Sequence, residues 1–512
     1  MKQYSDLELL RLSKGQRLLH KLAAFFLAIP GAIGKLFAKI FGAVKGAAQK
    51  VGSECKDIAL TFANGDYKTK LSYLVMGFGN IARGQVLRGV MFLLFEAVFI
   101  FYMVTTGSLW LSKLGTLGTM GPTETYDPIL DQYVVAYNDN SFKILLYGVL
   151  TIFFIIAFIY TWRMNIKQNQ IAEKILKSGK KLKSGKDDLR SLVDDQFHKT
   201  LLALPLTGIL IFTVLPIVFM VLVAFTNYDG AHNGFSNNLF TWVGLENFNT
   251  MLSWSAGTSG TQSYSATFGE ILTWTLIWAF FATFTNYFLG MFVAMMINKK
   301  GIRLKKMWRT ILVLTIAIPQ FISLLYVSKM FAQNGLINLM LMDMGIIQKA
   351  LPFWEDPTWA RVTVILINVW IGIPHLMLIV TGILMNIPAD LYESARIDGA
   401  NAWQQYCKIT LPYMLFVTGP FLLTSFTGNM NNFNVIYLLT GGAPTNAAAS
   451  GAAGSVGHTD LLITWLFKIT TGAESQYYLA SVVGILVFIV VAVISLVVYS
   501  VLPSIKNEED FQ

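Results

Sequence analysis

The sequence predicts an all-α, polytopic membrane protein with about eight transmembrane helices. Three observations carry this. Of 512 residues, 54% are hydrophobic and only 13% charged. A soluble chain carries about 25% charged residues, so too little polar surface remains to coat a water-soluble body of this size. Apolar runs then recur at the length a bilayer core demands, about 20 residues per helix. They fall at residues 90–110, 144–162, 201–226, 271–297, 309–331, 360–384, 413–438 and 479–502. Finally, 33 of the 39 Lys and Arg residues sit in residues 1–89, 163–199, 298–309, 385–412 and the tail, on alternate sides of those runs. A membrane barrel is disfavoured, since its strands would alternate in polarity over about 10 residues. The composition also excludes disorder, coiled coil and collagen. With two cysteines, Cys55 and Cys407, there is no disulfide framework.

Residues 1–89 form a basic region before the first span. Phe25, Phe26, Ile29, Ile33, Phe37, Ile40 and Phe41 alternate there with Lys21, Lys35, Lys39, Lys45 and Lys50. The uncharged stretch Leu22 to Gly34 is too short to span. A basic amphipathic helix lying in the cytoplasmic interface is expected, with a short re-entrant segment as the rival. Residues 90–200 hold two accessory spans and a basic loop containing Lys180, Lys181, Lys183 and Lys186. Glu96 is the clear acid inside an apolar run; a proton carrier would want such a group, and the simpler reading is a neutral or paired Glu. Residues 201–512 hold the other six spans. The connection 227–270 has no Lys or Arg, whereas 298–309 has six. By the positive-inside rule the first is external, the second cytoplasmic, and both termini are cytoplasmic. The basic loops are read as this orientation signal rather than as nucleic-acid or lipid sites.

Bond-breaking chemistry finds no support. There is no G-x-x-x-x-G-K-[ST] phosphate loop, no G-x-S-x-G elbow, and no metal-ligand spacing among five His and two Cys. No enzyme activity, metal or cofactor is expected in this chain.

The connection Ile387 to Pro412, IPADLYESARIDGANAWQQYCKITLP, is unusually structured for a loop. Pro388 interrupts the preceding helix, Asp390 and Glu393 are spaced as a capping box, and Gly399 is a natural helix stop. A second short helix is expected at about Ala402 to Leu411, with Pro412 opening the next span. Two short helices about a Gly make a cytoplasmic hairpin, either a docking element or a connector.

This stretch resembles the cytoplasmic signature E-A-A-x3-G-x9-I-x-L-P of ABC-importer membrane subunits. Glu393, Ser394, Ala395, Gly399, Ile409, Leu411 and Pro412 stand at its positions, Ser394 replacing the usual Ala. NVWIGIPHLML before it, and FTGNMNNFNVIYLLTGGAP and GHTDLLITWLFKI after it, are similar to the larger membrane subunit of the maltose/maltodextrin importer, the MalF type. Similarity is close over 200–512 and faint over the first 150 residues. The resemblance implies a type I ABC permease fold in the cell membrane and a coupling role for the hairpin. It also implies a second homologous permease subunit, two cytoplasmic ATPases that bind the ATP and Mg, and an external sugar-binding protein. Some relatives carry a large folded domain between spans three and four; residues 227–269 are too few for it. The loop Gly441 to Asp460 either reaches into the binding protein or is a flexible tether.

Polar residues inside the spans add a candidate site. Asn368 and His375 lie in span six, and Ser425, Asn429, Asn431, Asn432 and Asn434 in span seven. An Asn carboxamide donates and accepts, and so matches vicinal sugar hydroxyls; it also bonds helix to helix. Trp370, Phe426 and Phe433 are candidate stacking surfaces. Carried over residue by residue, the resemblance implies pocket positions Asn368, Gly372, His375, Ser425, Gly428, Asn429 and Asn432. His375 replaces a Tyr of the family pattern and Gly428 a Phe, which leaves the sugar open between maltodextrin and another oligosaccharide such as a galacto-oligosaccharide. An ion-coupled secondary transporter would need internal repeats and intramembrane ion ligands, and only Glu96 offers one.

Overall fold

A computed structural model describes residues 14–501 apart from 130, 137, 183, 236–237, 254–262, 300, 450–454 and 473. The expectations for residues 1–13 and for the middle of the 441–460 loop lie outside these. Among the described residues seven helices are long and apolar enough to cross a bilayer, and a bent pair makes an eighth span if counted as one. Packing divides the chain into two compact units, one of residues 34–247 and one built on residues 248–512.

Helix α1 (Lys14–Asn64), which belongs to the first unit from residue 34 onward, continues well past the amphipathic stretch expected at 18–50. Spans α2 (Val86–Leu114), α3 (Ser141–Lys177) and α4 (Phe197–Val223) follow. Arg163 of α3 holds α1 through Glu54 and Asp57. Between α1 and α2 the chain makes short turns whose polar groups are satisfied by the spans. Arg83 is buried on Asp66, Thr69 and Asn169, and Glu173 accepts from Thr69 Oγ1 at 2.8 Å. Glu96 belongs to this arrangement: its carboxyl oxygen accepts the Met76 N–H at 2.7 Å. A short antiparallel hairpin, β1 (Thr123–Asp127) with β2 (Gln132–Ala136), connects α2 and α3. The border expected at residue 200 differs from the packing. Span α4 groups with the first unit, its Phe219 ring meeting Phe142 of α3 at 5.1 Å, and Asn247 closes that unit by donating to the Ala224 and Thr226 carbonyls.

The second unit holds α5 (Tyr264–Asn298), α6 (Lys305–Ala317), α7 (Gln320–Met330), α8 (Pro357–Leu384), α9 (Ala389–Ile397), α10 (Ala402–Met430), α11 (Phe433–Leu439), α12 (Leu462–Thr471) and α13 (Tyr477–Val501). Two expected spans are broken. The run at 309–331 bends by 89° between α6 and α7. Pro319 lacks the N–H a helix needs and drives Ile318 to an extended ψ of 127°. The run at 413–438 begins earlier, at Ala402, and stops at Met430, because Asn431 leaves the helix and Asn432 caps α11 by accepting the Val435 N–H. Two apolar clusters hold this unit. Trp274, Trp278, Ala282, Leu324, Val364 and Ile367 belong to one. Tyr287, Met291, Ala294, Leu376, Met377, Val380 and Met414 belong to the other. Along both α5 and α8 a gap separates the clusters, near residues 282–287 and 367–376.

Candidate functional site

A cavity of about 670 Å³ opens at that gap. Helix α5 contributes Ala282 and Asn286; α8 contributes Asn368, Trp370, Gly372 and His375; α10 contributes Phe421, Thr424, Ser425 and Asn429. The break between α6 and α7 supplies Thr315 through Gln320 and Ser323. Its volume lies in the range of small-molecule sites, about 300–1,000 Å³. Among the described residues no Asp, Glu, Lys or Arg lines it. The polar groups are carboxamides, hydroxyls and one imidazole, with Trp370 and Phe421 as aromatic faces. Irregular backbone at this depth in a span is tolerated where it lines a cavity, and the Ile318–Pro319 break does so.

Of the seven expected positions, Asn368, Gly372, His375, Ser425 and Asn429 share this cavity, while Gly428 and Asn432 are not among its lining. The helix ends before Asn432, whose side chain serves the α11 cap and donates to Asn429 Oδ1 at 3.4 Å. Gly428 faces open space. Asn429 also donates to Thr283 Oγ1 of α5 at 3.0 Å, so it joins two helices and walls the cavity at once. Of the expected stacking rings, Trp370 lines the cavity, and Phe433 is stacked on Tyr437 at 4.7 Å and set edge-on to Phe467. The sequence reading passed over Asn286, although it carried the signal that singled out Asn368: an amide within an apolar run. It also passed over the Thr315–Ser323 segment, which Pro319 marks. Among the described residues, two buried side-chain amide atoms have no partner, Asn286 Oδ1 and Asn368 Nδ2.

The hairpin is observed with two changes. Glu393, Ser394 and Gly399 are exposed, Ala395 and Ile409 partly so, on α9 and the start of α10. Asp390 does not cap α9. Pro388 is the N-cap residue and Asp390 lies inside the first turn, where a carboxylate still favours the helix dipole. The capping box is Asn401 with Gln404, each side chain accepting the other's backbone N–H at 2.8 Å. The expected separate second helix is continuous with the following span. A π-turn at Tyr406–Thr410 lets Leu411 and Pro412 follow without interruption, by relieving the proline's clash with the preceding turn. Gly399 has φ of +76°, with Ala400 N–H donating to Ala395 O at 2.8 Å and Gly399 N–H to Arg396 O at 3.0 Å, a Schellman closure. Tyr392 and Thr410 hydroxyls tie the two arms at 2.9 Å. Trp403 and Ile397 are 70% and 87% exposed, apolar side chains on an otherwise polar loop. Replacing Asn401 by Ala removes the box and should cost about 1 kcal/mol. Deuterium exchange should rise at residues 402–406 and leave α5 and α8 unchanged.

The loop after α11 is fastened at its ends. Asp460, 1% exposed, accepts from Gly457 N–H, Thr464 Oγ1 and Lys468 Nζ, the last at 2.6 Å. Burial pushes its carboxyl above the usual range and these donors pull against it. Asn446 donates to Glu270, and Arg361 donates to the His458 carbonyl while lying 4.8 Å over the Trp274 ring. A free tether from residue 441 to 460 is therefore excluded at its described ends.

Comparison with known proteins places these features. Residues 286–506 match the family model described as the binding-protein-dependent transport system inner membrane component. The maltodextrin transport system permease protein MalC of Streptococcus pneumoniae is 34% identical over 452 residues, 86% of this chain and 97% of that one. The galactooligosaccharides transport system permease protein GanP of Bacillus subtilis is 32% identical over 440 residues, 85% of this chain and 97% of that one. The maltose/maltodextrin transport system permease protein MalF of Escherichia coli is 35% identical over 233 residues, 45% of this chain and 44% of that one.

Proposed function

The chain belongs to the permeases of binding-protein-dependent transport systems, and from that premise we propose that it is the MalF-like subunit of an ABC importer that carries maltodextrins across the cell membrane. The observation that carries the sugar reading is the cavity at the gap between the two apolar clusters. Its wall is largely apolar but set with amides and hydroxyls, and among the described residues it contains no acidic or basic side chain apart from one imidazole. A neutral carbohydrate matches such a wall; an ion-coupled carrier would need charged ligands there. Five of the proposed contacts, Asn368, Gly372, His375, Ser425 and Asn429, lie on it. Gly428 and Asn432 are proposed to act on the sugar only indirectly, through the end of α10 and the α11 cap.

In this reading the chain breaks no bond. ATP and Mg are held by two ATPase subunits, which dock on Glu393, Ser394, Ala395, Gly399, Ile409, Leu411 and Pro412. Exposed Trp403 and Ile397 supply apolar anchors beside that surface. A second homologous permease subunit completes the path, and an external binding protein delivers the sugar. Residues 201–512 are the permease core in function, residues 90–200 the accessory spans, and the basic helix α1 lies on the cytoplasmic membrane surface. The galacto-oligosaccharide reading is retained as the alternative on the similarity to GanP.

The test is uptake by the complete complex in vesicles, with binding protein and ATP, of labelled maltotetraose against a galacto-oligosaccharide. ATP-dependent entry of maltotetraose alone is the expected result; entry of the galacto-oligosaccharide alone reverses the assignment. Orientation is tested separately. In a chain lacking Cys55 and Cys407, an impermeant thiol reagent outside the cell should label Asn233→Cys and spare Ser184→Cys, both positions being exposed. Equal labelling would overturn cytoplasmic termini.

A further inference from the structure

We propose that Asn286 of α5 is a specificity-determining residue of the cavity, whose carboxamide reads one hydroxyl of the transported oligosaccharide; this rests on the sugar reading given above. Asn286 lines the cavity and is 6% exposed, yet its Oδ1 has no partner among the described residues. Apart from Thr267, whose hydroxyl is also buried without a partner, other polar residues of α5 behave differently. Thr283 receives the Asn429 amide, Thr275 donates to Ile271 O and receives the Leu462 N–H, and Asn298 donates to Ala294 O. Those are the satisfied contacts of polar residues that join or brace helices. Asn286 offers an acceptor and leaves it unused, which is costly in a dry interior unless a partner arrives.

The backbone of α8 is shaped to admit it. A Cβ on Gly372 would lie 2.2 Å from Asn286 Nδ2 and 2.6 Å from its Cγ. Any side chain at Gly372 therefore displaces the amide. Gly372 stands one turn after Asn368, whose Nδ2 is the other partnerless amide atom of the wall. An unused acceptor and an unused donor thus belong to two residues that line one cavity; both atoms are buried, so each carboxamide must turn to meet a hydroxyl. A sugar hydroxyl both donates and accepts, and a carboxamide can turn to present either group. A wall of carboxamides reads hydroxyl positions, so the pair sorts neutral oligosaccharides by the presence of an individual hydroxyl.

The experiment uses the complete importer in vesicles with its binding protein, transporting maltotriose and a panel of maltotrioses each lacking a single hydroxyl. The same binding protein serves every variant, so its own preferences cancel in the ratios. Asn286→Leu should lower transport efficiency for maltotriose roughly three- to tenfold. It should also abolish the wild-type penalty against one member of the panel, leaving the other ratios unchanged. Gly372→Ala should abolish the penalty against that same member. If Asn286→Leu does not assemble, Asn286→Ser, which keeps a polar group but shortens its reach, serves in its place with the same expected loss of that one penalty. An equal reduction for every member, or no change, in an assembled variant overturns the role of Asn286 while leaving the sugar reading intact. A wild-type complex that moves none of the panel overturns the maltodextrin reading and this inference with it.

Discussion

Gly399→Pro is expected to abolish transport in a complex that still inserts and assembles. Gly399 closes α9 at φ of +76°, and a proline ring holds φ near −65°. The same substitution deletes the N–H that donates to Arg396 O at 3.0 Å. A side chain there meets nothing within 4 Å, so the defect is one of backbone and not of crowding. Gly399→Ala separates the two: it keeps the N–H and costs roughly 1–2 kcal/mol for the left-handed conformation. The proline costs about 3 kcal/mol or more, at least a hundredfold in the population of the closed hairpin. Because the hairpin is the proposed seat of the ATPases, transport should fall by that factor. Sugar-stimulated ATP hydrolysis should fall with it, and alanine should give an intermediate phenotype. Normal stimulated ATPase activity in an assembled Gly399→Pro complex would refute the coupling role.

The hairpin and the cavity differ in how much of them was legible beforehand. Gly399 announced its conformation, since a glycine after an apolar helical turn marks a stop. The capping box was misplaced because Asp390–Glu393 and Asn401–Gln404 both have the required spacing, and Pro388 decides between them by fixing where α9 starts. The continuity of α10 through Pro412 was not legible, because a π-turn has no composition of its own. Apolar runs located the spans, but hydropathy averages over a window and cannot see a break. Pro319 and the Asn431–Asn432 pair were visible as residues, yet whether they break a span depends on neighbours far along the chain. The cavity is formed by one of those breaks. This is why Asn368 and His375, on an unbroken helix, were found, while Thr315 to Gln320 were not.

The two asparagines of the α10–α11 junction give the sharpest test of what the cavity does. Asn429 lines it, donates to Thr283 Oγ1 at 3.0 Å and receives Asn432 at 3.4 Å. Asn432 stands outside it and accepts the Val435 N–H at the start of α11. Asn429→Leu keeps the bulk and removes both donor and acceptor. A lost hydrogen bond to a neutral group is worth about 0.5–1.5 kcal/mol and a stranded partner about 1–3 kcal/mol. Each 1.4 kcal/mol is tenfold, so transport efficiency should fall roughly three- to hundredfold. Thr283 limits the structural share of this loss, because a helical Thr can turn its hydroxyl to the carbonyl four residues back. The Trp278 Nε1 bond to the Asn429 carbonyl survives any side-chain change. Basal ATP hydrolysis should hold, since the hairpin is untouched. Asn432→Ala should instead cost about 1 kcal/mol of local helix stability as a lost N-cap. It should lower the thermal stability of the complex more than its affinity for sugar. If the two variants exchange these phenotypes, or Asn429→Leu disrupts assembly while sparing uptake, the asparagine amides serve only to join helices and the sugar path runs elsewhere.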